Sequence, residues 1–135
     1  AAEGASVATC DVFPDNMAET KRICESDGLL QGVRITTHVA DVADEAQMVR
    51  FAEAVAHDHR TDKIHLLFNN AGIGGGASFV NAPREEWDRV FNICWNGVYL
   101  SCRAFMPMLL RAEEGAVVNT SSATGFWAAL MPNVT

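Results

Sequence analysis

Short apolar runs alternate along the chain with longer segments in which apolar residues recur every three or four positions. The short runs, rich in small or β-branched residues, are typical of strands, and the longer period is typical of amphipathic helices. The pattern predicts four strands, at residues 6–10, 33–39, 64–68 and 116–120. It predicts helices between them, at residues 15–26, from 44 onward, and from 83 to 115.

The second and third predicted helices have the clearest apolar faces. Asp44, with Gln47 three residues later, is expected to cap the second helix. The face of that helix comprises Met48, Phe51, Ala52 and Val55. In the third helix, which Pro83 opens, the predicted face comprises Trp87, Val90, Phe91, Cys94 and Val98. The strand at residues 64–68 is almost wholly apolar, so we expect it to be buried.

Strands and helices in strict alternation predict a doubly wound α/β fold, a sheet of parallel strands joined by right-handed crossovers. Sheets of this kind bind ligands at the carboxyl ends of their strands. The candidate site residues are therefore those that follow each strand. They are Asp11, Asp41 with Val42, residues 69–72, and Ser121 with Ser122.

Composition narrows the class of protein. The 135 residues are 49% apolar and 20% charged, which suits one globular domain over residues 1–135. Ten basic against 17 acidic residues give a net charge of −7, which argues against nucleic acid or an anionic membrane as partner. No apolar run is long enough to span a bilayer. The four cysteines form no CxxC pair and no metal-ligand pattern, so we expect free thiols, no metal and a cytoplasmic protein.

Two aspartates suit the adenosine half of a dinucleotide. The Asp11 carboxylate can accept hydrogen bonds from both hydroxyls of an adenosine ribose and would repel a 2′-phosphate, which favours NAD over NADP. Asp41 can bond the adenine amino group while the side chain of Val42 packs on the ring. Each aspartate can equally be a turn residue, which is a common role at strand ends.

The segment Asn69-Asn70-Ala71-Gly72 is the most informative loop. Two adjacent amides at the mouth of an apolar strand need hydrogen-bond partners, and the small residues after them let a ligand approach the main chain. The loop also matches the G-x-G-x-x-A dinucleotide fingerprint, from Gly72 to Ala77. We reject that match, because no helix starts within it and no acidic residue follows at the end of a further strand.

Ser122 is placed to present a hydroxyl at the same edge of the sheet, although a solvated, serine-rich loop is the alternative. A hydrolase nucleophile is not indicated, because no histidine lies at that edge and the G-x-S-x-G elbow is absent. Tyr99 has Arg103 four residues later, a spacing that resembles a catalytic tyrosine whose phenol pKa is lowered by a nearby cation. The pair lies within the third helix, so we interpret it as helix surface or a partner interface.

Four strand-end signals in this order jointly resemble the short-chain dehydrogenase/reductase family. They are Asp11, Asp41-Val42, NNAG at 69–72 and NTSSATG at 119–125. The resemblance covers the whole chain and implies a Rossmann-type sheet, a homo-oligomer, and an NAD-dependent oxidoreductase acting on a small secondary alcohol or ketone. It also implies that Ser122 is the catalytic serine. The cofactor-binding residues it implies are Asp11, Asp41, Val42, Asn70, Ala71 and Gly72.

The chain departs from the family pattern in three places. The glycine-rich TGxxxGxG loop and the central strand before it would precede Ala1, and the YxxxK element would begin near Thr135. The resemblance thus implies an internal portion of a longer enzyme, inactive alone, with a gap of about 10 Å between two halves of the sheet. Cys94 stands where the family usually has a catalytic asparagine, and we expect that a thiol cannot replace the donor and acceptor roles of the amide in holding a proton-relay water.

The favoured hypothesis is therefore an oxidoreductase, and the alternative is a nucleotide-binding relative without turnover, which Cys94 favours. A tyrosine followed four residues later by a lysine, shortly after Thr135, would discriminate between them. A flavodoxin-like or receiver-type domain would need a flavin-phosphate loop or an acidic phosphoacceptor pocket, and neither is evident. Four apolar residues after the serine suggest either an apolar substrate pocket or simple packing: Phe126, Trp127, Leu130 and Met131.

Overall fold

The computed structural model describes residues 1–26, 28–75 and 80–122. Its strands are β1 (Val7–Asp11), β2 (Ile35–Val39), β3 (Leu66–Asn69) and β4 (Ala116–Asn119). Its helices are α1 (Pro14–Ser26), α2 (Glu45–His59), α3 (Arg84–Phe91) and α4 (Gly97–Leu109). A π-helical turn, Asn92–Asn96, joins α3 to α4. The predicted order of elements is confirmed, with limits that differ by a few residues.

The strands form two separate parallel pairs. β1 pairs with β2, with Asp11 opposite Val39, and β3 pairs with β4, with Asn69 opposite Asn119. In the described part of the chain, no strand lies between β1 and β3 to join the pairs. The parallel arrangement is confirmed, and the expected division of the sheet into two halves is observed.

Helix α2 begins as its sequence predicts. The carboxylate of Asp44 accepts hydrogen bonds from the backbone N–H of Gln47 at 2.9 Å and from its side-chain amide at 3.0 Å. These bonds favour the ionised form and lower the pKa of Asp44. The helix ends where Arg60 takes the left-handed conformation. Helix α1 likewise ends just before Gly28, whose φ of +80° suits the predicted C-terminal glycine.

The core lies between α2 and α4. The predicted apolar face of α2 is confirmed, since all four of its residues are buried. The ring of Phe51 meets that of Phe105 edge to face, with centroids 5.2 Å apart. The core cluster comprises Ala40, Met48, Phe51, Ala52, Val55, Leu100, Phe105 and Met108. No described helix is both long and apolar enough to cross a membrane.

The predicted apolar face of the third helix is wrong for three of its five residues, while Val90 and Val98 are half-buried. Trp87 and Phe91 are 54% and 48% exposed, and Cys94 is exposed as well. The residues that α4 buries are Gly97, Leu100, Ser101, Phe105, Met108 and Leu109. The π turn rotates the buried face of α4 away from the predicted line, because its i→i+5 bonding adds a residue to one turn. Trp87 and Phe91 precede this turn and lie on an exposed side of α3.

The prediction that the strand at residues 64–68 is buried is also wrong. In β3, Leu66 and Phe68 are 54% and 61% exposed, and β4 is exposed along its whole length. An apolar run predicts the side chains that a strand buries when both faces of its sheet are covered. Leu67 packs against the core, whereas Leu66 and Phe68 alternate with it and therefore point to the opposite face of the strand, which stays open to solvent.

Candidate cofactor and active site

Asp11 is the last residue of β1 and is half-buried. Its Oδ1 accepts a hydrogen bond from the backbone N–H of Phe13 at 3.0 Å, so it does act as a turn residue. Its Oδ2 has no hydrogen-bond partner among the described residues, so the carboxylate keeps an acceptor for a ligand. The backbone N–H of Ala40 donates to the carbonyl of Asp11 at 3.2 Å, which brings the end of β2 beside it.

Asp41 and Val42 form the turn between β2 and α2. The Asp41 carboxylate accepts the backbone N–H of Ala43 at 2.9 Å, and its own N–H donates to the side-chain oxygen of Gln47 at 3.0 Å. The turn is thereby fixed to the start of α2. Asp41 and Val42 are both half-buried, so neither is wholly withdrawn from a ligand.

The carboxyl ends of β3 and β4 are cross-linked by side chains. The amide of Asn69, which is 8% exposed, donates to the side-chain oxygen of Asn119 at 2.8 Å and to Cys102 Sγ at 3.4 Å. The hydroxyl of Thr120 donates to the side-chain oxygen of Asn70 at 2.9 Å. The adjacent amides thus have three of the partners that their position demanded, and all three are side chains. The Asn69 Oδ1 atom is buried without a partner in the described part of the chain.

Ala71, Gly72 and Ser122 lie exposed at this same edge. Ser122 follows β4 by three residues, as predicted. Some residues of the sequence analysis lie outside the described ones: Ala77, the last three residues of the NTSSATG motif at 119–125, Phe126, Trp127, Leu130, Met131 and Thr135. The family match has therefore to be judged on the remaining residues and on the whole sequence.

Two contacts connect the two strand pairs at their carboxyl edge. A Cβ atom on Gly97 would lie 2.8 Å from Val42 Cγ2, so α4 approaches the β2–α2 turn at the closest distance that glycine allows. A Cβ atom on Gly72 would lie 3.6 Å from Cys94 Sγ, so the π turn meets the loop after β3. Sequence reasoning did not assign Gly97 a role, although a lone glycine inside a helical pattern often has a packing reason.

The thiol of Cys94 also bonds the main chain of that loop. Its Sγ accepts the backbone N–H of Ile73 and donates to the Ile73 carbonyl, each at 3.4 Å. The thiol therefore supplies both a donor and an acceptor at this point. The expectation drawn from the residue type alone did not foresee this.

Among residues 1–26, 28–75 and 80–122, the other polar groups show no further cluster suited to catalysis or metal binding. Burial, together with the charge of Asp11, raises the pKa of Cys10 to about 11, so this thiol stays protonated at neutral pH. The described residues hold no group of three histidine, cysteine, aspartate or glutamate side chains suited to a metal ion. Arg103 donates to the hydroxyl of Tyr99 at 3.4 Å on the exposed surface of α4, in line with its interpretation as helix surface.

Comparison with known proteins gives one consistent family. The sequence pattern described as short chain dehydrogenase matches residues 1–132. The 3-oxoacyl-[acyl-carrier-protein] reductase FabG of Thermotoga maritima is 31% identical over 127 residues, which is 94% of this chain and 49% of that protein. Levodione reductase of Leifsonia aquatica is 34% identical over 126 residues, which is 93% of this chain and 46% of that protein. The chain spans about half the length of these relatives.

Solved structures share the fold. NAD⁺-bound xylitol dehydrogenase matches with a TM-score of 0.83 at 27% identity, over 97% of this chain and 48% of that one. The crystal structure of levodione reductase matches with a TM-score of 0.84 at 31% identity, over 93% of this chain and 48% of that one. The predicted Rossmann-type fold is confirmed. Since the family pattern covers nearly the whole sequence, the chain belongs to the short-chain dehydrogenase family.

Proposed function

We propose that this chain supplies the adenosine-binding side and the catalytic serine of an NAD-dependent oxidoreductase, which transfers a hydride between NAD and a small secondary alcohol or ketone. One observation carries the proposal. The turn with Asp41 and Val42 and the loop with Ala71 and Gly72 come from different strand pairs, yet both contact the same short stretch, from Cys94 to Gly97. Two of the four sequence signals are thus connected through one helical segment, which supports a single ligand-binding edge.

The described residues fit the adenosine half of a nicotinamide dinucleotide. The uncommitted Oδ2 of Asp11 can accept a ribose hydroxyl, while its negative charge opposes a 2′-phosphate. Asp41 and Val42 offer a polar and an apolar contact to adenine, and the exposed main chain at Asn70, Ala71 and Gly72 can line the rest of the dinucleotide. Structural neighbours include proteins bound to NAD⁺ and to NADP, so the preference for NAD rests on the Asp11 carboxylate. When bound, the nicotinamide accepts or donates the hydride.

We propose that Ser122 binds the substrate. Its position beyond β4 lets the hydroxyl donate a hydrogen bond to the carbonyl or alcohol oxygen that reacts. Such a bond stabilises charge that develops on this oxygen during the reaction. We also propose the cytoplasm as the compartment, because all four cysteines are free.

We further propose that the enzyme is a homo-oligomer that uses the outer side of α3 and α4. Four aromatic residues at four-residue spacing are exposed there, and Trp95 is the most open at 70%. Phe91 and Trp95 stack with ring centroids 5.9 Å apart. Exposed apolar patches of this kind mark interaction sites, so we assign this aromatic stripe to a second copy of the chain. The stripe comprises Trp87, Phe91, Trp95 and Tyr99.

The cofactor assignment is tested by Asp11→Ala in the full-length natural protein. Loss of charge-assisted bonds to the ribose is expected to weaken NAD binding by roughly 10- to 100-fold. NADP binding is expected to hold or improve, because the repelling charge is gone. Dissociation constants from isothermal titration with each dinucleotide measure both effects. Asp15→Ala, which removes the same charge from the first turn of α1, is the matched control.

An unchanged ratio of NAD to NADP affinity in Asp11→Ala would remove Asp11 from the site. The alternative function, a nucleotide-binding relative without turnover, predicts the same binding results. It differs in predicting no NADH formation from NAD with any of a panel of small secondary alcohols.

A further inference from the structure

The π turn and the loop after β3 meet through one side chain. We propose that Cys94 is a positioning residue, which holds residues 70–73 against the π turn and so sets the affinity of the cofactor site. The inference rests on the proposed function, because residues 70–72 are the ones assigned there to the dinucleotide.

The hydrogen bonds of Cys94 satisfy both main-chain groups of a single residue. Ile73 lies beyond the end of β3, so its N–H and carbonyl have no strand ladder to join. The Cys94 thiol accepts from the former and donates to the latter, at 3.4 Å each. Since main-chain polar groups need partners, this pair of bonds holds the loop at one distance from the turn. Gly72, next to Ile73, would place a Cβ atom only 3.6 Å from the same sulfur atom.

The π turn links this contact to the other half of the edge. The backbone N–H of Gly97 donates to the carbonyl of Asn92, five residues earlier, and so closes the turn around Cys94. Gly97 in turn lies against Val42. The π turn therefore sets the distance between the loop after β3 and the β2–α2 turn. These two segments carry opposite sides of the proposed dinucleotide site. Single π turns of this kind are frequent at functional sites.

A role in filling space does not account for Cys94. The residue is exposed, so truncating its side chain opens no buried cavity. A residue that only filled space would tolerate alanine, and would tolerate the larger asparagine less well. A residue that supplies a donor and an acceptor shows the reverse order, because asparagine carries both and alanine carries neither.

The first experiment follows the bond itself. Amide hydrogen exchange at Ile73 is measured by NMR in the full-length natural protein and in the variants Cys94→Ala and Cys94→Asn. Loss of the sulfur acceptor is expected to speed exchange at Ile73 by about 3- to 10-fold, and asparagine is expected to restore most of the protection. Cys24→Ala, on α1, is the matched control and is expected to leave exchange at Ile73 unchanged.

The second experiment measures the dissociation constant for NAD by isothermal titration in the same proteins. Cys94→Ala is expected to bind NAD about 3- to 10-fold more weakly, with recovery in Cys94→Asn and no change in Cys24→Ala. Unchanged exchange at Ile73, or faster exchange with unaltered affinity, would overturn the role of Cys94. Failure of asparagine to restore either quantity would overturn its basis in hydrogen bonding.

The two proposals fail in distinguishable ways. If the unsubstituted protein bound neither NAD nor NADP, the proposed function would be refuted, and the role of Cys94 in cofactor affinity with it. If the unsubstituted protein and Cys94→Ala bound NAD equally well, only the role of Cys94 would be refuted.

Discussion

Replacing Gly97 by alanine probes the contact that joins α4 to the β2–α2 turn. The new Cβ atom would lie 2.8 Å from Val42 Cγ2, 3.3 Å from Val42 Cβ and 3.6 Å from the Val42 carbonyl oxygen. Carbon atoms attract best at about 3.5–4.0 Å, so the closest approach is about 0.7 Å too short. Val42 is β-branched and restricted at χ1, so the turn itself has to move.

Two opposing effects determine how much Gly97→Ala changes the free energy of unfolding. Overpacking of a close contact costs about 1–3 kcal/mol. Gly97 has helical angles, φ −58° and ψ −39°, so alanine also gains about 1 kcal/mol of helix propensity there. The difference leaves a net loss of roughly 0–2 kcal/mol in the free energy of unfolding. The displaced turn carries Asp41 and Val42, so NAD affinity is expected to fall as well.

A double-mutant cycle in urea separates the two effects. Val42→Ala removes the Cγ2 atom and relieves the 2.8 Å contact. In that background Gly97→Ala is expected to become neutral or stabilising, with a coupling energy of about 1–2 kcal/mol. Gly74→Ala, whose Cβ would meet no atom within 4 Å, is the control for a glycine without a close neighbour. If Gly97→Ala raised the urea midpoint in the presence of Val42, at unchanged m, the steric argument would be refuted.

Three further outcomes are expected in the full-length natural protein. Ser122→Ala should lower kcat by about 100-fold, whereas Ser121→Ala should not; the reverse pattern would move the assignment. Trp95→Glu should lower the sedimentation coefficient toward that of the monomer, whereas Ile23→Glu, at an exposed apolar position on α1, should not. An unaltered sedimentation coefficient for Trp95→Glu would contradict the role of the aromatic stripe. Burial, then a nearby guanidinium, lower the pKa of His59 below 6.5, so the folded state binds this proton less readily than the unfolded chain. The contribution of His59 to the free energy of unfolding should therefore be fully present above pH 6.5 and be lost as pH drops through the folded pKa. His59→Gln should make the urea midpoint depend less steeply on pH in that range, and an unchanged slope would refute this role of His59.

The predictions that held depend on neighbours close in sequence. Asp44 and Gln47 are three residues apart, and their bonds form whenever α2 does. The buried face of α2 follows from the helical period alone. The strand ends that carry Asp11, Asp41 and Ser122 follow from where short apolar runs stop. These features could be derived without knowing which elements touch.

The predictions that failed depend on partners far away in the chain. The direction of the buried face of α4 follows from the π turn, whose Cys94 bonds Ile73, 21 residues earlier. The partners of Asn69 and Asn70 come from residues 33 and 50 positions later. No local periodicity encodes such contacts.

The sequence by itself thus determined the order of elements, the ends of the strands and the residue types placed there, because helical periodicity, strand propensity and turn residues act over a few neighbouring positions. Only the tertiary structure decided that β3 is open to solvent and that Gly97 and Cys94 connect the two sides of the candidate site. Those features arise where separate elements approach within van der Waals or hydrogen-bond distance, and that approach is a property of the packed chain as a whole.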